Sequence, residues 1–290
     1  MNRRLLSFAI IFFLSLALLY VSAAGAASGK PASLTFAYED TNSFPWVFDN
    51  NGQAEGLDIE LIRLLETKLN VRMNLVPYPW NRALTMMRSG SIDGVIGSSF
   101  KADRLAMGAY PTKTGASSES SRESDIDAAK RIHTSGYSLY RLKGTNIRWD
   151  GTEMVNLGDR SVAAQAGFTI TQDLKKIGVA VKEIPDDPNL IFRGLIKKYF
   201  AAAAVQTTTA DYIFRKNREY RNTIEKCSAN SKPFHQKPYY LMLSFQLVRQ
   251  YPALAADIWK NIEEIRRSEA YRARIKNFFT RFTANPPAGD

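Results

Sequence analysis

A group of hydroxyl and guanidinium side chains follows a short apolar segment in the first half of the chain. Residues 92–96 read as a buried strand, Ser98 and Ser99 stand just beyond it, and Arg104 comes five residues after Ser99. A guanidinium presents a rigid fork of N–H donors that matches the two oxygens of a carboxylate, which lysine cannot do. Such a side chain can bind a carboxylate; the alternative is an arginine that covers the surface at a turn.

Acidic and aromatic residues follow the first predicted strand. Glu39 and Asp40 end that strand, and Phe44 and Trp46 come soon after it. Carboxylates at this place can receive an ammonium or hydroxyl group, and aromatic faces can engage cations. The alternatives are a local side-chain turn at Asp40 and aromatic side chains that belong to the core.

A second aromatic and basic pair begins the next predicted helix. Trp80 stands near the end of a strand, and Arg82 can reach a cleft or simply cover the surface.

Metal sites need ligands at close spacing, whereas His133, His235 and the single cysteine are far apart. We therefore predict neither a metal nor another cofactor. We see no Ser-His-Asp signature, although side chains distant in sequence can still meet in space. The candidate acids and bases have no evident partner in the sequence, so we expect a protein that is not an enzyme.

The N-terminus has the three parts of a secretory signal peptide. A basic start is followed by an apolar run over 5–21 and by small residues at 23–27. We predict a signal peptide over 1–27 that is removed on export; the alternative is an uncleaved membrane anchor. Because no cysteine follows the signal, no lipid anchor is expected, and the predicted location is the periplasm.

The formal net charge of +11 falls by two when the signal peptide is removed. Basic residues are dense over 215–221 and 266–276, where amphipathic helical patterns favour a solvated face. The sequence shows no nucleic-acid motif, so we predict no nucleic-acid partner.

Alternating strand and helix patterns predict an α/β fold with mainly parallel sheets. The predicted strands are 34–38, 71–78, 92–96, 137–140, 161–165, 181–184, 201–206, 223–227 and 239–244. The predicted helices are 57–69, 81–88, 168–177, 188–200, 209–217, 252–268 and 269–279. Residues 114–129 hold one large apolar side chain and predict a solvated loop or a disordered insert.

The order of these segments resembles the extracellular solute-binding proteins of family 3, which include the polar amino-acid-binding proteins. The resemblance rests on the first strand with its acidic loop, on Gly56-Leu-Asp-Ile-Glu-Leu, and on the turn that ends at Arg104. It implies the two-lobed type II periplasmic binding fold, in which two crossing strands form a hinge and the ligand lies between the lobes. Lobe 1 would comprise 31–113 and 239–290, and lobe 2 would comprise 114–238.

The resemblance also implies roles for individual residues. Arg104 would hold the ligand carboxylate, Ser99 would add a hydroxyl to it, and Ser98 is a weaker candidate. Asp40 matches a pocket position, and aromatic side chains would sandwich the ligand.

In lobe 2, the resemblance places Gly167 and Thr169 where the family presents backbone N–H groups and a hydroxyl to the ligand. The alternative for Thr169 is helix capping. At the end of strand 201–206, Thr207 replaces the aspartate with which amino-acid binders pair the ligand ammonium, although Gln206 can still bond a ligand. The implied site keeps carboxylate recognition and loses the usual ammonium recognition.

The resulting prediction is a monomeric periplasmic protein that binds a small polar, carboxylated solute for an ABC transporter or a sensor. One alternative is an enzyme on the same scaffold, such as a periplasmic dehydratase, with Glu39, Asp40 or His133 as its acid or base. Another is a sensory or interaction protein that has lost ligand binding.

Overall fold

The computed structural model describes residues 29–50, 52–185, 187–228 and 233–284, so the predicted signal peptide lies outside the described residues. Strands and helices alternate through these ranges, as the sequence predicts. The strands are β1 Ser33–Glu39, β2 Phe48–Asn50, β3 Gln53–Glu55, β4 Arg72–Tyr78, β5 Gly94–Ser99, β6 His133–Leu142, β7 Arg148–Trp149, β8 Met154–Val155, β9 Val162–Gln165, β10 Val181–Ile184, β11 Ala202–Gln206, β12 Ile224–Lys226 and β13 His235–Leu243. The helices are α1 Leu57–Leu69, α2 Trp80–Arg88, α3 Thr169–Lys176, α4 Pro188–Ile196, α5 Thr207–Lys216, α6 Arg218–Thr223, α7 Phe245–Gln250, α8 Pro252–Arg267 and α9 Glu269–Ala284.

The main sheet is curled and has two parallel ends with an antiparallel centre. Its strand order is β10-β9-β11-β6-β13-β5-β1-β4, and β12 pairs with β6 beside this path. Parallel pairs join β1 to β4 and β5, and β9 to β10 and β11. This confirms the α/β fold of the periplasmic binding type that the sequence predicts.

The two ends of the sheet meet on strand β13. Its first half, from His235 to Tyr239, pairs with β6, and its second half, from Tyr239 to Leu243, pairs with β5. Tyr239 therefore stands opposite both His133 and Ser99. Since β6 and β13 run antiparallel here, they are the two crossing strands that the predicted hinge requires.

Helices α1 and α8 cover the β1 end of the sheet. The apolar stripe of α1 is fully buried, and Asn70 ends the helix in the left-handed conformation with a φ of 50°. Trp259 of α8 is 1% exposed and its Nε1–H donates to Leu241 O of β13 over 2.8 Å. This contact ties the C-terminal helices to the central strand.

Helix α4 ends at Ile196, four residues before the predicted end. Lys198 has a φ of 60° and Tyr199 N–H donates to Gly194 O over 3.0 Å, so the chain makes a left-handed helix stop. Strand β13 starts four residues earlier than predicted, because its first half pairs with β6 as well. The short helices α6 and α7 and the hairpins β2–β3 and β7–β8 had no predicted counterpart.

Residues 114–129, the polar segment, fold back along the chain that leaves β5. Isolated bridges join Pro111 to Ala116 and Thr112 to Ile126. Arg266 Nη2 of α8 donates to Ala129 O over 2.6 Å. The last contact involves α8, a helix that the predicted division assigns to lobe 1. The division at residue 114 stays a prediction.

No helix among the described residues combines the length and the apolar character that a membrane span requires.

We expect Trp259→Ala to lower the free energy of unfolding by about 3–5 kcal/mol, because it opens a cavity under β13 and removes the bond to Leu241 O. Urea denaturation of the exported chain measures this. Leu190→Ala, at a side chain 43% exposed on α4, is the matched control and should change stability by less than about 0.5 kcal/mol. Equal losses in both variants would contradict the assigned role of Trp259.

Candidate functional site

A small cavity lies where the two ends of the sheet meet. The cavity volume is about 50 Å³, and side chains from both ends of the sheet line the cavity. The lining residues are Glu39, Ser43, Trp46, Val47, Asp58, Trp80, Ile96, Gly97, Ser99, Arg104, His133, Tyr137, Phe168, Thr169, Gln206 and Tyr239.

Arg104 is a buried cation in this lining. It lies in a short 3-10 helix, Ala102–Ala106, and is 4% exposed. Its Nη1 donates to Ser99 O over 2.8 Å, its Nη2 donates to Gly167 O over 3.0 Å, and its guanidinium carbon lies 4.9 Å from the ring centre of Trp80. Among the described residues no carboxylate lies within 4.0 Å of it. The guanidinium is therefore held by carbonyl groups and an aromatic face, without a counter-ion.

Ser98 and Ser99 position this arginine in different ways. The Ser98 hydroxyl bonds Tyr110 OH over 2.9 Å and lies 3.4 Å from Arg104 Nη1, behind the cavity wall. The Ser99 hydroxyl faces the cavity and bonds Thr169 Oγ1 over 3.2 Å. The structure thus brings Ser99 to the cavity and places Ser98 as its support.

The turn between β9 and α3 forms the opposite wall. Gly167 has a φ of 78°, and a Cβ there would meet Asn81 Oδ1 at 2.8 Å, so glycine fits best. Phe168, not Thr169, is the N-cap of α3. Thr169 is thereby free of the capping role and turns its hydroxyl toward Ser99.

A buried carboxylate–imidazole pair forms another part of the lining. His133 Nδ1 lies 2.8 Å from Asp58 Oδ1, and the two residues are 7% and 1% exposed. The imidazole is stacked between Trp46, at a ring separation of 4.0 Å, and Tyr239, at 4.7 Å. A carboxylate only accepts hydrogen bonds, so Nδ1–H donates and Nε2 is the imidazole atom left for a ligand.

Gln206 and two tyrosines complete the polar lining. Gln206 Nε2 donates to Tyr239 OH over 3.2 Å, and Tyr239 OH donates to Tyr137 OH over 3.4 Å. Burial raises the pKa of both phenols, so they stay protonated at neutral pH. Thr207 bonds Ser138 Oγ over 2.8 Å and lies outside the lining.

Gly167 and three further predicted residues also lie outside the lining. Phe44 packs in the core, stacked 4.4 Å from Tyr212. Arg82 is exposed and lies over the ring of Tyr78 at 5.0 Å. Asp40 is exposed at the end of β1. Phe44 is therefore a core residue, which was the alternative for the aromatic side chains. Trp46 and Trp80 line the cavity together with Glu39.

Sequence reasoning missed the pairing of Asp58 with His133. The sequence suggests His133 as a possible acid or base without a partner, and Asp58 reads as an ordinary acidic residue at a helix start. The two positions are 75 residues apart, and no local signal connects them. Among the described residues, no group of three or more His, Cys, Asp or Glu side chains is arranged to hold a metal ion.

A curled α/β sheet with two crossing strands and a cavity at their junction defines the periplasmic-binding-protein class of fold. A family model for the bacterial extracellular solute-binding proteins, family 3, matches residues 34–281. The chain belongs to this family. No curated protein matches the sequence significantly.

Solved structures agree with the fold. An ancestral arginine-binding protein bound to glutamine has a TM-score of 0.65 and 21% identity, covering 87% of this chain and 99% of the other. A histidine kinase sensor domain similar to periplasmic binding proteins has a TM-score of 0.64 and 16% identity, covering 84% and 95%. An ancestral amino acid-binding protein, a precursor of cyclohexadienyl dehydratase, has a TM-score of 0.62 and 18% identity, covering 86% and 96%. At these identities the likeness supports the fold alone.

We expect His133→Leu to lower the free energy of unfolding by about 3 kcal/mol, because it leaves the Asp58 carboxylate buried without a partner. The double variant Asp58→Leu/His133→Leu should recover much of this loss, since it removes both polar groups. Urea denaturation gives the three values.

His235→Leu is the control for this pair, because its side chain is 45% exposed and lies 3.9 Å from Asp173. It should change stability by less than about 0.5 kcal/mol. A double variant less stable than His133→Leu would contradict the coupling of Asp58 to His133.

Proposed function

We propose that the protein is a periplasmic solute-binding protein that captures a small polar solute by its carboxylate, with Arg104 as the carboxylate receptor. The observation that carries this proposal is the burial of the Arg104 guanidinium in the cavity lining without a carboxylate partner in the described part of the chain.

A buried charge is costly unless another charge or a full set of hydrogen bonds compensates it. Carbonyl oxygens of Ser99 and Gly167 and the ring of Trp80 provide part of that compensation. Trp80 Nε1, also in the lining, is a buried donor that has no partner among the residues the structure describes. A solute carboxylate would accept from both Arg104 and Trp80 and would supply the missing negative charge.

The size of the cavity favours a compact solute. The volume of about 50 Å³ is several times the minimum of about 10–15 Å³ that admits one water molecule. A small carboxylic or amino acid meets this limit in the arrangement seen here, whereas a longer solute requires the walls to separate.

The proposal extends to location and partners. The family is extracellular, and we propose export through a cleaved signal peptide over 1–27, followed by action as a monomer in the periplasm. Lobe 1, at 31–113 and 239–290, would close on lobe 2, at 114–238, and the closed form would be recognised by an ABC transporter or a sensor. The contact of Arg104 with Gly167, which joins the two proposed lobes, supports such closure.

The pairing of Asp58 with His133 favours one further candidate function. A histidine oriented by a carboxylate, with its second nitrogen toward a cavity, has the arrangement of a general base. We propose binding rather than turnover, because the chain belongs to a family of solute-binding proteins. Mass spectrometry of a bound solute after prolonged incubation distinguishes the two: recovery of unchanged solute supports binding, and a product that disappears with Asp58→Asn supports an enzyme.

We expect Arg104→Met to raise the Kd for a carboxylated solute at least about thirtyfold, since a charge-assisted bond to a buried partner contributes about 2 kcal/mol or more. A thermal-shift screen of amino acids, organic acids, polyamines and sugars identifies the solute, and calorimetry then measures Kd.

Arg82→Met is the matched control, because Arg82 is exposed and outside the cavity lining, and its Kd should equal that of the unaltered protein. Unchanged binding by Arg104→Met would refute the carboxylate assignment. A screen in which sugars or polyamines bind and carboxylated compounds do not would refute the proposed solute class.

A further inference from the structure

We propose that the outward face of helix α4, together with the turn that ends it, docks on an anionic phospholipid bilayer. We call this face the α4 surface; it comprises Leu190, Arg193, Lys197, Lys198 and Tyr199, all of which are exposed. The docking is a property separate from solute capture, because none of these residues lines the Arg104 cavity.

The helical period places these side chains on one side of α4. Leu190, Arg193 and Lys197 are spaced three and four residues apart, so they are neighbours along one face of the helix. Ile191 and Leu195 lie on the opposite face, and both are 0% exposed. The helix therefore buries one face against the core and presents the other to solvent.

The turn after α4 brings Tyr199 back onto this outward face. Lys198 has a φ of 60°, and Tyr199 N–H donates to Gly194 O over 3.0 Å. A Cβ added at Gly194 would lie 3.8 Å from Tyr199 Cδ2, so the ring lies beside Gly194. Gly194 is one helical turn beyond Leu190. The rings and methyl groups of Tyr199 and Leu190 thus occupy adjacent parts of the same surface.

Both apolar side chains of the α4 surface are unusually open to solvent. Tyr199 is 73% exposed and Leu190 is 43% exposed, and they are the two most exposed large hydrophobic side chains in the described ranges. A single exposed apolar residue needs no explanation, whereas adjacent ones rimmed by charge are typical of a protein or membrane contact.

The charge around these two side chains is positive and is not neutralised nearby. Residues 188–201 contain Arg193, Lys197 and Lys198 and no acidic residue. Within the part of the chain that the structure describes, none of the three forms an ion pair within 4.0 Å. The basic helix α9 differs, because Arg274 pairs with Glu60 and Arg281 pairs with Glu55.

An anionic bilayer matches this combination of groups better than a protein partner does. Headgroup phosphates attract the lysine and arginine cations, and the alkyl stems of lysine can lie along apolar surface while the charges stay in water. Tyrosine is enriched at the boundary between headgroups and acyl chains. A stable protein interface takes about 20–30 residues from each partner, far more than the α4 surface offers.

The α4 surface and the solute cavity lie at opposite ends of strand β11. Tyr199 precedes the start of β11 at Ala202, whereas Gln206, at the end of β11, lines the cavity. The strand advances about 3.3 Å for each residue. Docking through the α4 surface therefore leaves the cavity lining out of contact with the bilayer.

The test is sedimentation of the exported chain with vesicles. One set contains equal parts of phosphatidylglycerol and phosphatidylcholine, and the other contains phosphatidylcholine alone. We expect at least about tenfold stronger partition onto the anionic vesicles at about 20 mM salt, and its loss at about 500 mM salt, where the headgroup charges are screened. Equal partition onto both sets of vesicles, or none onto the anionic set, overturns the proposal.

Variants then locate the contact on α4. Lys197→Gln/Lys198→Gln should lower partition onto anionic vesicles at least about tenfold, because two headgroup attractions are lost. Leu190→Ser/Tyr199→Ser should lower it at least about threefold through loss of apolar contact. Unchanged partition in the lysine variant refutes the assignment to the α4 surface.

Arg272→Gln/Lys276→Gln is the matched control, since it removes the same charge from two exposed residues of α9. Its partition should stay within about twofold of the unaltered chain. An equal loss in the control and in the lysine variant would show that net charge alone attracts the protein, and would overturn a localised surface.

A second probe separates a bilayer from an acidic protein. Binding of poly-L-glutamate without binding of anionic vesicles would assign the α4 surface to an acidic protein partner and overturn the proposal. Solute affinity should be the same in the lysine variant as in the unaltered chain, which also verifies that the variant folds. If a variant does not fold, the comparison of the two vesicle sets on the unaltered chain still decides.

Discussion

Strand β13 belongs to both ends of the sheet, and the position of the cavity depends on this shared pairing. Tyr239 is opposite His133 of β6 and Ser99 of β5. The pairing of Tyr239 therefore fixes the relative positions of the two cavity walls. The phenol of Tyr239 then stacks on His133 and accepts from Gln206. A change in β13 register by one residue would turn Tyr239 away and separate these contacts.

The cavity contains buried polar groups whose charges and hydrogen bonds are only partly satisfied by other groups of the protein. Arg104 lacks a counter-ion among the described residues, and Asp58 has one carboxylate oxygen without a partner. Natural proteins tolerate such groups where function requires them and compensate elsewhere in the structure. Here the compensation is the dense apolar packing beside the cavity, with Trp259 and the stripe of α1 fully buried. Val47, Ile96 and Tyr239 belong to both the cavity lining and this apolar packing, so the cavity is built into the core.

The sequence predicted the features that have a local signal. The apolar stripe predicted the bounds of α1 correctly. The pattern of the turn after β5 indicated Arg104 and Ser99 as candidate site residues, and both line the cavity together with Thr169. Features that depend on distant pairing were not predictable. No spacing rule connects Asp58 with His133, and an aromatic residue such as Phe44 gives no sign of whether it faces a core or a cavity. Gln206 and Thr207 are adjacent, yet only Gln206 lines the cavity, because β11 ends and α5 begins between them.

Contacts across the cavity form in the absence of a solute and affect the conformation of the solute-free protein. Arg104 reaches Gly167 O, and Ser99 reaches Thr169, with protein atoms alone. If the two proposed lobes close on a solute, such contacts would give the closed arrangement a finite population before any solute arrives. Under the proposed function, a transporter or sensor that recognises closure would then show basal activity, and solute would raise its output from a baseline above zero.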